Sequence, residues 1–169
     1  MKQVMQSAKT GKLSVRDVPV PKAAAGELLV RTHASLISAG TERMVVEFAR
    51  KSLAAKAKHR PDLVKKVISK ARADGLKATV DAVLSRLDEP LPLGYSAAGV
   101  IVQVGAGLEG TYRVGDRVAI AGAGLANHAE LNAVPQNLAA LIPHDVSYED
   151  ACYGTLAAIA LHAVRNLDA

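Results

Sequence analysis

The sequence predicts a mainly β domain with a helical insertion, and three observations carry that expectation. Short apolar runs bounded by glycine and proline turns fill residues 2–38 and 97–141, the spacing of a small closed all-β core. Between them, from Met44 to Leu87, the apolar period lengthens from two to about 3.6 residues, the repeat of a helix. After Pro143 the character changes again: Ser147 with Asp150 three residues on marks a helix start, and Ala151 to Val164 is continuously small or apolar.

Lys2 to Ser7 and Lys12 to Val18 read as strands of a hairpin whose turn, Lys9-Thr10-Gly11-Lys12, takes its positive φ from glycine. Pro19 and Pro21 stop the second strand. Glu27 to Ser38 alternates as a long strand, with Leu29, Arg31, His33 and Ser35 on one side and Leu28, Val30 and Thr32 on the other. In the insertion Leu63, Val67 and Ile68 share one helical face, and Leu76, Val80, Val83, Leu84 and Leu87 another. Pro61-Asp62 suits a first helical turn, Gly75 a break between two helices, and Leu91 to Leu93 ends the excursion. Strands are expected again at Ala97–Gly105, Arg117–Ala121, Ala126–Val134 and Leu138–Leu141.

With 169 residues, half of them apolar, the chain can bury one sizeable core, and no apolar run approaches the roughly 20 residues that span a bilayer. The first ten residues alternate polar and apolar with no continuous hydrophobic segment, so a cytoplasmic protein without a secretory signal is expected. Cys152 is the only cysteine, which excludes an intrachain disulfide and a structural zinc lobe of several thiolates. The formal charge of +5 is local: twelve Lys or Arg against six Asp or Glu fall between Arg43 and Glu89. Phe48 is the one aromatic residue of that segment, so nucleic acid is not an expected partner.

Pro90 to Arg117 contains Gly94-Tyr95-Ser96, then Val104-Gly105-Ala106-Gly107, then Val114-Gly115-Asp116-Arg117-Val118. The last two resemble the turns of the GroES-like catalytic domain of medium-chain dehydrogenases and reductases, the zinc-type alcohol dehydrogenase-like family. SAGTERM at residues 38–44, the basic insert and RLDEPLPLGYS at residues 86–96 are together similar to the amino-terminal part of bacterial two-part oxidoreductases. In those proteins a second half resembles glucose-fructose oxidoreductase and inositol dehydrogenase. The resemblance implies a GroES-like β-barrel over residues 1–146, with a helical insertion at 43–90. It also implies that residues 147–169 are a helix leading toward a Rossmann domain that this sequence lacks. No Gly-x-Gly-x-x-Gly follows a strand; Gly105, Gly107 and Gly110 have the spacing, but a turn and a strand come next. The sequence thus reads as truncated before the Rossmann domain, and inactive by itself.

A catalytic zinc needs about three protein ligands from thiolate, imidazole and carboxylate. The positions matching the ligands of zinc-bearing relatives are Ala39, Tyr95 with Ser96, and Thr155, and none is a good ligand. No zinc is expected, and Cys152, three residues before Thr155, could not hold the ion alone. The cofactor implied is NAD or NADP, bound mainly by the missing domain, with Thr155 on the cofactor side. Tyr95 stands where the imidazole was, and a phenol can donate a hydrogen bond or proton in a dry pocket. Thr41 matches the relay hydroxyl and Glu42 follows it, so Tyr95, Thr41 and Glu42 are the expected catalytic group, with Ser96 and His128 on the substrate. Tyr95 is equally open to a second reading, as volume filling the space a metal vacated.

His162, in an apolar helix, reads as a core or domain-junction residue, and His33 and His59 as solvated. The insert is either a lid whose Lys65, Lys66 and Lys70 attract acidic or phosphorylated substrates, or an amphipathic helical pair with a solvated charged face. The function expected is the substrate-binding domain of a zinc-independent NAD(P)-dependent oxidoreductase, acting on small molecules of the sugar or nucleotide-sugar type. The alternative is a non-catalytic binding or assembly module on the same barrel.

Overall fold

A computed structural model of the chain describes residues 1–7, 10–40, 47, 64, 67, 69, 72, 75, 78–79 and 90–167. Thr41, Glu42, His59, Lys65, Lys66 and Lys70, and with them the lid expectation, lie outside the described residues. The chain divides into two compact units, one of residues 1–4, 15–38 and 92–169, the other of residues 5–14 and 39–91.

In the first unit a five-stranded antiparallel sheet runs β7-β3-β5-β6-β8, built from β3 (Glu27–Ser35), β5 (Ser96–Val104), β6 (Arg117–Ala121), β7 (Leu131–Pro135) and β8 (Ala139–Leu141). A smaller sheet has the order β2-β1-β4, from β1 (Lys2–Ser7), β2 (Leu13–Asp17) and β4 (Pro90–Pro92). The expected mainly β architecture is the one observed, and the helices of the first unit are α1 (Tyr148–Ala151) and α2 (Gly154–Leu167).

β3 is central, paired with β5 on one side and β7 on the other. Leu28, Leu29 and Val30 are buried in succession instead of alternating, so side chains of both pleats of β3 are covered there, and the strand ends at Ser35, before the expected Ser38. The main core gathers Leu28, Val30, Ala97, Ile101, Val118, Ile120 and Val134. A second cluster, Leu36, Ala98 and Cys152 with Tyr95, Tyr148 and Ala151 against it, takes residues of the opposite pleat and packs α1 on the sheet. Gly99 makes this possible, because a Cβ there would collide with the carbonyl of Arg31 on β3.

Three further boundaries differ from expectation. β7 starts at Leu131 rather than Ala126, because residues 126–130 form a loop held by side-chain hydrogen bonds. β4 is a short strand where only an end of the insertion was expected; two prolines within Pro90–Pro92 hide it. The single C-terminal helix is two, interrupted at Cys152 and Tyr153, with Ser147 capping the first through the amide of Asp150 as its sequence indicates.

In the second unit Gly11 has φ +72 and its amide bonds the Ser7 carbonyl, as the hairpin requires. Glu47, Val64, Val67, Ser69, Arg72, Ala78 and Thr79 are helical, and Gly75 is not helical and has φ +87. No helix among the described residues is long and apolar enough to cross a membrane.

Candidate functional site

The expected site residues that can be placed fall on one end of the five-stranded sheet and on the helices beside it. Tyr95 stands on the turn into β5, half-buried against Leu36, Ala98 and Cys152. Its carbonyl accepts from the Gly122 amide at 2.9 Å. Its hydroxyl is buried and makes no hydrogen bond among the described residues. A buried hydroxyl that stays unpaired costs about 1–3 kcal/mol relative to a paired one.

Ser96, next along, is 1% exposed and its hydroxyl donates to the Cys152 carbonyl at 2.7 Å, while its carbonyl accepts from Leu36 at 2.9 Å. It ties the turn to β3 and to the junction of α1 and α2. Thr155, on the first turn of α2, is half-buried, and its hydroxyl too is buried with no partner among the described residues.

His128 reaches the same end of the sheet from the loop before β7. Its amide donates to the Leu93 carbonyl at 2.8 Å, one residue before Gly94-Tyr95. Gly94 has φ +107, and a Cβ on it would stand 2.6 Å from the His128 nitrogen, so only glycine lets the two backbones meet. The His128 imidazole does not follow the phenol. Its Nδ1 lies 2.9 Å from Ser35 Oγ at the end of β3, and the ring lines a cavity of about 300 Å³ with Thr32, Ser35, Glu130 and the aliphatic Val4 and Val15. Tyr95 does not line that cavity.

His33 and His162 make contacts of other kinds. His33 is exposed yet not simply solvated: its ring stacks on that of Tyr148 at 4.5 Å, and the Arg117 guanidinium lies 4.6 Å from the Tyr148 ring. Arg117 also donates to the carbonyls of Pro143, His144 and Val146. His162 is exposed on α2 rather than in the core, 3.1 Å from Asn166 Nδ2, because the apolar residues of that helix, Leu156, Ile159 and Val164 among them, are themselves exposed.

Burial pushes the Cys152 thiol pKa up, with smaller contributions from the carboxylates of Glu149 and Asp150, so the sulfur is held neutral. Among the described residues no cluster of three or more His, Cys, Asp or Glu could hold a metal ion. The donor set at the matching positions, a methyl, a phenol and two aliphatic hydroxyls, does not fit zinc.

No family model and no curated protein matches the sequence. Solved structures do. A mycobacterial protein complexed with NADPH is 22% identical with a TM-score of 0.62, over 97% of this chain and 40% of its own. 2R,3R-butanediol dehydrogenase from Bacillus subtilis is 18% identical at TM-score 0.62, over 97% and 46%. Escherichia coli quinone oxidoreductase complexed with NADPH is 19% identical at TM-score 0.58, over 90% and 36%. The likeness is one of fold, that of the amino-terminal, GroES-like part of such enzymes, and this chain spans less than half the length of each.

Proposed function

We propose that this chain is the substrate-binding part of a zinc-independent NAD(P)-dependent oxidoreductase in the cytoplasm. In this reading residues 1–146 form the GroES-like domain with its insertion at 43–90. Residues 147–169 lead toward the nucleotide-binding domain of the complete protein, a two-part oxidoreductase. The observation that carries the reading is the buried, unpartnered Tyr95 hydroxyl on a turn fixed at both ends. A filler residue would gain by being phenylalanine, whereas a donor awaiting a carbonyl oxygen needs the hydroxyl.

The nicotinamide, bound mainly by the nucleotide-binding domain, supplies the hydride. This chain's task is to orient the substrate carbonyl and to give or take its proton. Tyr95 donates to the oxygen, Thr41 and Glu42 carry the proton onward, and Ser96 holds the turn through its bond to Cys152. Thr155, whose hydroxyl also lacks a partner, faces the cofactor side. His128 contacts a substrate of the sugar or nucleotide-sugar type, supported by the mixed imidazole, hydroxyl and carboxylate lining of the adjoining cavity. The test is turnover of a panel of sugar aldehydes and ketones with NADH or NADPH by the complete protein, in the presence and absence of a zinc chelator. Chelator-insensitive turnover that falls at least about a hundredfold in Tyr95→Phe supports the assignment. Absence of cofactor-dependent turnover would leave the barrel as a non-catalytic binding or assembly module.

A further inference from the structure

Asn132 sits on β7 two residues before Val134, at a position where the strand's alternation calls for an aliphatic side chain. It is 2% exposed. Burying a primary amide costs about 1–3 kcal/mol unless its hydrogen bonds are made, so its bonds show what it is for. Oδ1 accepts from the Asn127 amide at 3.0 Å, and Nδ2 donates to the Asn127 carbonyl at 3.1 Å and to Thr32 Oγ1 at 2.9 Å. One carboxamide thus reads both backbone groups of Asn127 as a neighbouring strand would, and spends its remaining N–H on Thr32 of β3. The next residue is His128. Its carbonyl accepts from Val4, its amide donates to Leu93, and its Nδ1 meets Ser35 Oγ.

We propose that Asn132 is the positioning residue that fixes residues 127–128 so that the His128 imidazole meets Ser35 in the cavity it shares with Thr32 and Glu130. The inference deepens the reading of His128 as a substrate contact and rests on it for its kinetic consequence. A valine at 132 would suit the strand and free the loop. The amide is kept at a core position because loop geometry, not packing, is what it supplies.

The test has a spectroscopic arm and a kinetic arm. In the 169-residue chain, imidazole 15N spectra of His128 are compared for wild type, Ser35→Ala, Asn132→Ala and Thr32→Val. The expected result is that Asn132→Ala reproduces the Ser35→Ala spectrum, the His128–Ser35 pair being broken. Thr32→Val, which spares the Asn127 clamp, keeps the wild-type spectrum. A wild-type His128 spectrum in Asn132→Ala overturns the proposal. Should that variant not fold, Asn132→Asp keeps the acceptor for the Asn127 amide, loses the donors and carries the same test with the same criterion. In the complete protein Asn132→Ala and His128→Gln are expected to raise KM together, by about tenfold, with kcat little changed, as removal of a binding contact does. A shifted spectrum in Asn132→Ala beside unchanged kinetics in His128→Gln supports the positioning role and overturns only the substrate contact.

Discussion

Ile101 and Tyr95 belong to the same strand and the turn that opens it, yet their surroundings are opposites. Ile101 is fully buried among Leu28, Val30 and Val118, its amide donates to Asp116 and its carbonyl accepts from Gly115. Everything it presents is satisfied. Around Tyr95 the backbone is held as firmly, through Gly122 and through Leu36 on the adjacent Ser96, but a buried hydroxyl has no partner among the described residues. Among the described residues the same holds for Thr155 Oγ1 and Asn127 Oδ1, and, away from this region, for Gln6 Oε1. At Tyr95 and Thr155 such hydroxyls stand beside the expected site, where a bound molecule can pair with them.

The largest effect is expected from closing the centre of the sheet. Gly99→Val drives a side chain into the Arg31 carbonyl on β3, and urea unfolding should show a loss of about 4 kcal/mol or no folded protein. Ile101→Ala, which leaves a cavity in the apolar cluster, should cost about 2–5 kcal/mol in the same measurement. At the other end, Ser96→Ala removes the donor to Cys152 and strands a buried carbonyl, a loss of about 1–3 kcal/mol. Equal costs for Ile101→Ala and Tyr95→Phe would erase the contrast between the two regions.

The smallest effect concerns pH. Because the folded state holds the Cys152 thiol above its ordinary pKa, the unfolded chain releases that proton first as pH rises. The stability this group contributes is therefore complete below the ordinary thiol pKa of about 8.5 and declines above it. Denaturation midpoints measured from pH 7 to 10 should fall more steeply in wild type than in Cys152→Ala. Parallel curves would mean that the thiol ionises as readily folded as unfolded.

The apolar end of β5 was legible in the sequence and the polar end only in outline. Period-two runs and glycine turns are sufficient for β3, β5 and β6, since burial is what makes those residues apolar. They mislead at Ala126 to Glu130, which has strand-like residues but is bent into a loop by the Asn132 carboxamide, a contact between residues five apart that no periodicity encodes. They also pass over Ser35 and Asn132, whose importance lies in the groups they meet, and treat His33 as free when Tyr148 covers its ring. A buried asparagine among Leu131, Ala133 and Val134 was the available signal. Tyr95 was reached by resemblance to a known turn; that its hydroxyl is buried and unpaired is a property of the fold alone.

The most direct measurement is the unfolding free energy of Tyr95→Phe beside its cofactor-dependent turnover in the complete protein. Removal of an orphaned hydroxyl should leave stability unchanged or raise it by about 1 kcal/mol, while turnover drops at least about a hundredfold. A destabilised variant that turns over normally would contradict the account, because the phenol would then be serving the fold.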